Sequence, residues 1–175
     1  MINPIKKYNY SNLIDDQDQF TAIKLIDHLF ESDNYCKNVP SFQTWPNLID
    51  YPELVKFKHS FLVSAISYLG KKPKNMNCHG WCYMDFYDNW KLKNRDDNWH
   101  QHIHKDKTIL TAVYYLSNPN PPALSGTEFM DPHIQNIIPE PFTWFVYPGS
   151  LVHRVGIIQS NERRYTLVAD LIYES

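Results

Sequence analysis

The sequence predicts a mainly β fold, an antiparallel sandwich or jelly roll with N-terminal helices packed on one of its sheets. Two observations lead to this prediction. Up to residue 70 the apolar residues recur at helical spacing, whereas from about residue 76 to 174 short aromatic and β-branched runs alternate with turn residues. Such a run of short strands after two helices is typical of packed antiparallel sheets. With 175 residues, 43% of them hydrophobic, the chain can bury one sizeable core, so we expect a single domain over residues 1–175.

Two helices are expected as support over about residues 12–70. The first follows the segment DQDQFTAIKLIDHLFES, where apolar residues recur at three- and four-residue steps and Asp16 or Asp18 is the expected N-terminal cap. The second covers about residues 52–69, and Gly70 supplies its C-terminal stop. The proline-interrupted segment between them is expected to be a loop.

The β core is expected over about residues 76–174, because strand-forming residues take over there. The predicted strands are CHGWCYMDFYD, NWHQHIH, ILTAVYYLS, GTEFMD, PFTWFVYP, LVHRVGII and RYTLVADLIY.

Composition narrows the classes of partner. The formal net charge is −2, so there is no broad basic field to hold a phosphate backbone, and nucleic acid is an unlikely partner. The apolar runs are too short to span a bilayer or to form a signal-peptide core, so we expect a soluble, cytoplasmic protein with no membrane partner. The three cysteines, Cys36, Cys78 and Cys82, favour free thiols over a disulfide framework or a structural zinc site.

The densest group of metal-capable side chains is the run HQHIHKD at residues 100–106. In a strand, alternate side chains share a face, so His100, His102, His104 and Asp106 could look into one cavity. A third ligand must come from elsewhere, and His153 follows a Pro-Gly turn in TWFVYPGSLVHRV. Two imidazoles and one carboxylate on one face of a metal leave the opposite positions open, which is the arrangement of non-haem Fe(II) oxygenases.

A candidate carboxylate anchor lies eleven residues beyond His153. The guanidinium of Arg164 can pair bidentately with a carboxylate, and Thr166 shares its strand face. Arg163 is the competing choice, but strand parity with Thr166 favours Arg164 and turns Arg163 to solvent.

The order of these motifs resembles the 2-oxoglutarate and Fe(II)-dependent dioxygenase superfamily. His-x-Asp is followed by a tyrosine-rich strand ending YYL, then SGT-x-F, then a distal histidine and Arg-Tyr-x-Thr. From roughly Thr44 to Tyr173 the chain is most similar to a family of small oxygenases from bacteria and phages, and more distantly to the prolyl-hydroxylase-like group. The resemblance implies a double-stranded β-helix, that is, a cupin-like jelly roll.

The resemblance also implies roles at matching positions. His104, Asp106 and His153 would hold Fe(II), Arg164 and Thr166 would hold the distal carboxylate of 2-oxoglutarate, and Tyr115 would reach the same group. Such an enzyme uses O2 to hydroxylate a C–H bond, with release of succinate and CO2. The substrate, a small molecule or a protein side chain, and the oligomeric state are not specified by the sequence. The alternative is a non-catalytic cupin-like protein that binds a metal or a small ligand.

The register of the first two ligands stays open. His102-x-His104 is an alternative first pair, although a ligand set that includes the Asp106 carboxylate leaves the iron less positively charged. In either register His100 could orient a ligand or line the substrate mouth. The first helix and the loops at 88–99 and 117–127 are expected to frame that mouth.

Overall fold

The computed structural model describes residues 4–37, 42–86, 88, 99–118, 126–130, 133–156 and 158–174. These residues form two α-helices, α1 (Asp16–Glu31) and α2 (Val55–Leu69). The strands are β1 (Lys6–Asn9), β2 (Lys74–Asp85), β3 (Thr108–Ser117), β4 (Thr127–Met130), β5 (Ile134–Asn136), β6 (Thr143–Pro148), β7 (His153–Val155) and β8 (Arg164–Glu174). Six of the seven predicted strand segments overlap one of these strands, and the exception is NWHQHIH, whose described residues lie outside them.

Helix α1 begins at Asp16, one residue earlier than a cap at Asp16 would allow. Asp15 is the N-cap, and its carboxylate accepts the backbone N–H of Asp18 at 2.9 Å. The Asp18 carboxylate accepts the N–H of Asp15 at 3.0 Å in return. Such a reciprocal capping box satisfies two helix-end donors, and the N-cap alone is worth about 1 kcal/mol.

Helix α2 ends as predicted, at a left-handed Gly70 with φ of 70° whose N–H donates to the carbonyl of Ile66. Its start differs from the prediction, because Pro52–Leu54 forms a 3₁₀ turn and the α-helix begins at Val55. Proline has a φ that suits the first position of such a turn, and it has no N–H to leave unsatisfied there. Among the described residues, no helix is both long and apolar enough to cross a membrane.

Two antiparallel sheets make up the β part. The larger has the strand order β1-β6-β3-β8-β2, and the smaller has the order β5-β4-β7. Strand β8 lies between β2 and β3 and pairs with both along nearly its whole length. The chain is therefore mainly β with antiparallel sheets and N-terminal helices, which confirms the predicted class at this level.

The larger sheet has two differently used faces. One face packs on the helices, where Tyr114 meets Phe57 edge-on at 5.3 Å and the Trp144 indole N–H donates to Ser60 at 2.9 Å. The other face carries a second apolar cluster shared with the smaller sheet. Its buried members are Val113, Tyr115, Phe129, Ile137, Phe145, Tyr147 and Val168. The candidate site lies on this second face, against the smaller sheet.

Candidate metal centre

Three histidines converge beside the second apolar cluster. One potential ligand nitrogen from each of His100, His102 and His153 lies within 4.8 Å of the others. His153 opens β7 and is 4% exposed, whereas His100 is exposed and His102 is partly buried. The cluster is therefore closed on the β7 side and open on the side of His100.

Backbone hydrogen bonds hold these distant segments together. The N–H of His100 donates to the carbonyl of His153, and the N–H of His153 donates to the carbonyl of His100, both at 2.9 Å. The N–H of His102 donates to the carbonyl of Gly149 at 2.7 Å. A β-carbon at Gly149 would lie 2.7 Å from the carbonyl oxygen of His102, so only glycine permits this approach. These backbone hydrogen bonds bring together the segments that carry the three histidines.

Hydrogen bonds also fix which ring nitrogen is free on two of the histidines. The Nδ1 atom of His153 lies 2.8 Å from the carbonyl of Leu151, and a carbonyl only accepts, so Nδ1 carries the proton. The Nδ1 atom of His102 lies 2.8 Å from both oxygens of Asp170, whose ionised carboxylate likewise accepts. Both imidazoles are left with Nε2 as the unprotonated atom that can bind a metal.

The electrostatics favour neutral, ligating imidazole at His153. Burial, together with the neighbouring His100 and His102, lowers the pKa of His153 to about 3, while the hydrogen bond to Leu151 opposes the shift. A metal must compete with a proton for the same nitrogen, so a low pKa keeps the ligand ready at neutral pH.

Aromatic rings pack around the buried side of the cluster. Tyr147 meets His153 edge-on with ring centres 5.1 Å apart, Phe129 stacks on it at 5.8 Å, and Trp81 lies 5.7 Å from the ring of His102. This packing fixes the ring orientations and keeps water from that side of the site.

A chamber adjoins the histidines and is lined by residues of both sheets, among them Trp81, Tyr147 and Thr166. The indole N–H of Trp81 and the hydroxyls of Tyr147 and Thr166 are buried and have no hydrogen-bond partner among the described residues. An unsatisfied buried polar group costs about 1–3 kcal/mol, so three beside one chamber indicate a polar ligand there. Burial raises the pKa of Tyr147, which keeps its hydroxyl protonated and able to donate.

The predicted anchor residues lie on the same inner face. Arg164 is 1% exposed and forms an ion pair with Asp85, with Nη2 and Oδ2 3.6 Å apart. Arg163 lies on the opposite face, where its half-exposed side chain pairs with Asp27. The hydroxyl of Tyr115 hydrogen-bonds to Thr127 at 2.8 Å. Burial raises the pKa of Tyr115, and the charge of Arg164 partly offsets this.

His104 and Asp106 are placed elsewhere. Both are exposed, the N–H of Asp106 donates to Nδ1 of His104, and neither belongs to the histidine cluster. The prediction assumed one continuous strand from His100 to Asp106. Residues 101–107 instead lie outside the strands, with a bend at 105–107, and β3 starts only at Thr108, so the parity argument does not extend to the later pair.

Two residues at the metal centre have roles that the sequence interpretation did not give them. His100 was expected to orient a ligand or to line the mouth, yet it lies among the three clustered nitrogens. Asp170 was not singled out, although it is the one charged residue inside the apolar run LVADLIY. It also shares a strand face with Thr166, and that parity could have identified it.

The loops expected to frame the mouth fall mostly on residues 89–98 and 119–125, outside the described residues.

The donor set suits a first-row transition metal. Three imidazoles, one of them backed by a carboxylate, match the nitrogen ligands preferred by iron and zinc, and they do not match the oxygen ligands of calcium or magnesium. The exposed side at His100 leaves room for further ligands.

Comparison with known proteins gives no match to a family model and none to a curated protein. Solved structures, however, resemble this chain over nearly its full length. A viral collagen prolyl hydroxylase from Paramecium bursaria Chlorella virus-1 has a TM-score of 0.58 at 14% identity, with 99% of this chain and 91% of that chain covered.

Two further structures make the same point. A prolyl hydroxylase from Trichoplax adhaerens, in complex with a hypoxia inducible factor peptide fragment, gives a TM-score of 0.62 at 16% identity, covering 99% of this chain and 84% of that one. The non-heme alpha-ketoglutarate-dependent epimerase SnoN from nogalamycin biosynthesis gives 0.69 at 12% identity, covering 98% and 81%. At such identities the likeness shows a shared fold.

Proposed function

We propose that this chain is an Fe(II)- and 2-oxoglutarate-dependent oxygenase built on a double-stranded β-helix, with iron held by His100, His102 and His153. The observation that carries the proposal is the meeting of these imidazoles beside a chamber lined by buried polar donors. The shared fold supports it, because similar structures include prolyl hydroxylases and an alpha-ketoglutarate-dependent epimerase.

The proposed ligand set replaces His104 and Asp106 by His100 and His102, while His153 is kept. All three members are imidazoles, and the carboxylate of Asp170 lies behind one of them, His102. A carboxylate behind a ligating histidine fixes its orientation and makes it a more basic ligand. In this way Asp170 offsets part of the metal's charge through His102 without occupying a coordination position.

The chain's own groups would orient the co-substrate. The hydroxyls of Tyr147 and Thr166 and the indole N–H of Trp81 can each donate to a carboxylate in the chamber, and Arg164 adds positive charge one pleat beyond Thr166. With 2-oxoglutarate and O2, a ferrous ion would supply the oxidising power to hydroxylate a C–H bond, and succinate and CO2 would be released. The aromatic rings around His153 would keep the reacting centre dry. The substrate we propose is a small molecule or a protein side chain.

The test is turnover of 2-oxoglutarate by the anaerobically Fe(II)-loaded protein after O2 is admitted, with succinate measured. We expect succinate from the wild type and none from His153→Ala, while His79→Ala behaves as the wild type because His79 lies outside the cluster. Before O2 is added, 2-oxoglutarate should produce the weak visible absorption of its chelate with Fe(II). Absence of both that absorption and succinate from protein that holds Fe(II) would contradict the proposal.

A zinc-dependent hydrolase is the second candidate, because three neutral histidines are also the ligand set of some catalytic zinc sites. Calorimetric titration with 2-oxoglutarate separates the two. If neither the Zn(II)-loaded nor the Fe(II)-loaded protein releases heat on addition of 2-oxoglutarate, the result favours the hydrolase.

A further inference from the structure

We propose that Asp85 is a built-in counter-ion of Arg164 that the far carboxylate of 2-oxoglutarate must displace, so that Asp85 sets the affinity for this co-substrate. The inference rests on the proposed function. Its basis is the position of one buried ion pair relative to the chamber.

Asp85 and Arg164 lie directly opposite each other where β2 pairs with β8. Both are enclosed, with 0% and 1% of their surfaces exposed. Nη2 of Arg164 and Oδ2 of Asp85 are 3.6 Å apart, so two opposite charges face each other in a buried place.

The pair lies one pleat along β2 and β8 from residues that line the chamber. Arg164 precedes Thr166 by one pleat on the inner face of β8, and the hydroxyl of Thr166 lines the chamber. Tyr115 is the partner of Thr166 on β3, and its hydroxyl responds to the charge of Arg164. Asp170, which holds His102, lies further along β8 on the same face. A dicarboxylate that reaches from the metal along β8 would thus point its far end toward Arg164.

Binding such an anion sets two carboxylates against one guanidinium in a buried place. Like charges repel strongly in a buried site, so the cost of separating Arg164 from Asp85 offsets part of the attraction between the ligand and Arg164. Changing Asp85 to Asn keeps the shape and removes the competing charge. The same change removes a buried carboxylate that faces the Arg164 charge, which lowers the stability of the ligand-free protein. A bound carboxylate would then restore that stability.

The experiment is calorimetric titration of 2-oxoglutarate into anaerobic, Fe(II)-loaded wild type, Asp85→Asn and Asp27→Asn. We expect Asp85→Asn to bind 2-oxoglutarate at least about tenfold more tightly, the effect of removing one like charge from a buried site. Its melting temperature should be lower than that of the wild type without ligand and should rise more on addition of 2-oxoglutarate. Asp27→Asn is the matched control, because it removes the carboxylate partner of the adjacent, half-exposed Arg163. It should bind as the wild type does.

Equal or weaker binding by a folded Asp85→Asn protein would overturn the inference. If that variant does not fold, Asp85→Ser removes the same charge with a smaller polar side chain and is titrated in the same way. Tighter 2-oxoglutarate binding by Asp85→Ser would support the inference, and wild-type affinity would overturn it. If no protein binds 2-oxoglutarate although Fe(II) is bound, the proposed function itself fails, and the inference fails with it.

Discussion

The imidazole of His102 is held by Asp170, whose two carboxylate oxygens both lie 2.8 Å from Nδ1. The hydroxyl of Thr111 donates to the same carboxylate at 2.8 Å and fixes it from the neighbouring strand. The ring is therefore restrained in rotation and in tautomer, and its other nitrogen is kept for a metal.

We expect Asp170→Asn to weaken Fe(II) binding by about 10–100-fold, the usual cost of losing a carboxylate behind a ligating histidine. The amide no longer offers a charged acceptor for Nδ1–H, so the tautomer and the ring orientation become less defined. Competition with a chromogenic chelator under argon measures the affinity. Asp106→Asn is the control, since Asp106 is an exposed carboxylate outside the cluster. Equal affinities in the two variants would speak against a role for Asp170.

The ligand register can be decided by single substitutions. His102→Ala should abolish stoichiometric Fe(II) binding, because it removes one of three converging donors. His104→Ala should keep it, because the His104 side chain is exposed outside the cluster. Metal content after gel filtration provides the measurement. Loss of iron from His104→Ala with retention in His102→Ala would restore the ligand set predicted from the sequence.

Gly149→Ala should damage the metal centre through the backbone. The added methyl would lie 2.7 Å from the carbonyl oxygen of His102 and 3.0 Å from Cβ of Ile109, so the segment carrying His102 must move. We expect a loss of about 1–3 kcal/mol in the free energy of unfolding together with weaker metal binding.

Gly70→Ala is the matched control for this change. Gly70 has φ of 70° and no neighbouring atom within 4 Å of the added methyl, so the strain stays local at the end of α2. It should cost about 1–2 kcal/mol of stability. Metal affinity should not change. Denaturant unfolding and metal titration on both variants separate the two effects, and unchanged metal affinity in Gly149→Ala would count against the role given to this contact.

Cys78 should be slow to react with thiol reagents at pH 8. Burial raises its pKa to about 12, so only about one molecule in ten thousand carries the thiolate at that pH. The raised pKa means that the reactive form appears only as the pH rises well beyond 9. Alkylation followed by peptide mass spectrometry measures the rate, with denaturant-unfolded protein as the reference in which the pKa returns to normal. Rapid native labelling at Cys78 would contradict the burial of this side chain.

Much of the architecture follows from local pattern. The helix stripes and the aromatic strand runs predict α1, α2 and most strands, because burial of one face requires that periodicity. β1 and β5 were not predicted. The first is a short, largely exposed edge strand and the second is fully exposed, so neither has an apolar signal. The single-domain expectation stays a prediction.

The site was harder to predict because its geometry depends on where a strand stops. Alternation predicts one shared face for residues 100, 102, 104 and 106, whereas the structure clusters His100 and His102 with His153 and leaves the later pair exposed outside that cluster, since the chain bends before β3. The sequence did not predict the ion pair of Arg164 with Asp85 either, because the two residues meet through the pairing of β2 with β8. Such long-range register leaves no mark in either segment alone.

The reciprocal amide–carbonyl bonds between His100 and His153 close a loop of more than fifty residues by backbone alone. The conformational entropy cost of closing that loop is met when the chain folds, so metal binding does not have to meet it again. We therefore expect the metal site to be preorganised, so that iron is taken up quickly and the dimensions of the molecule in solution hardly change.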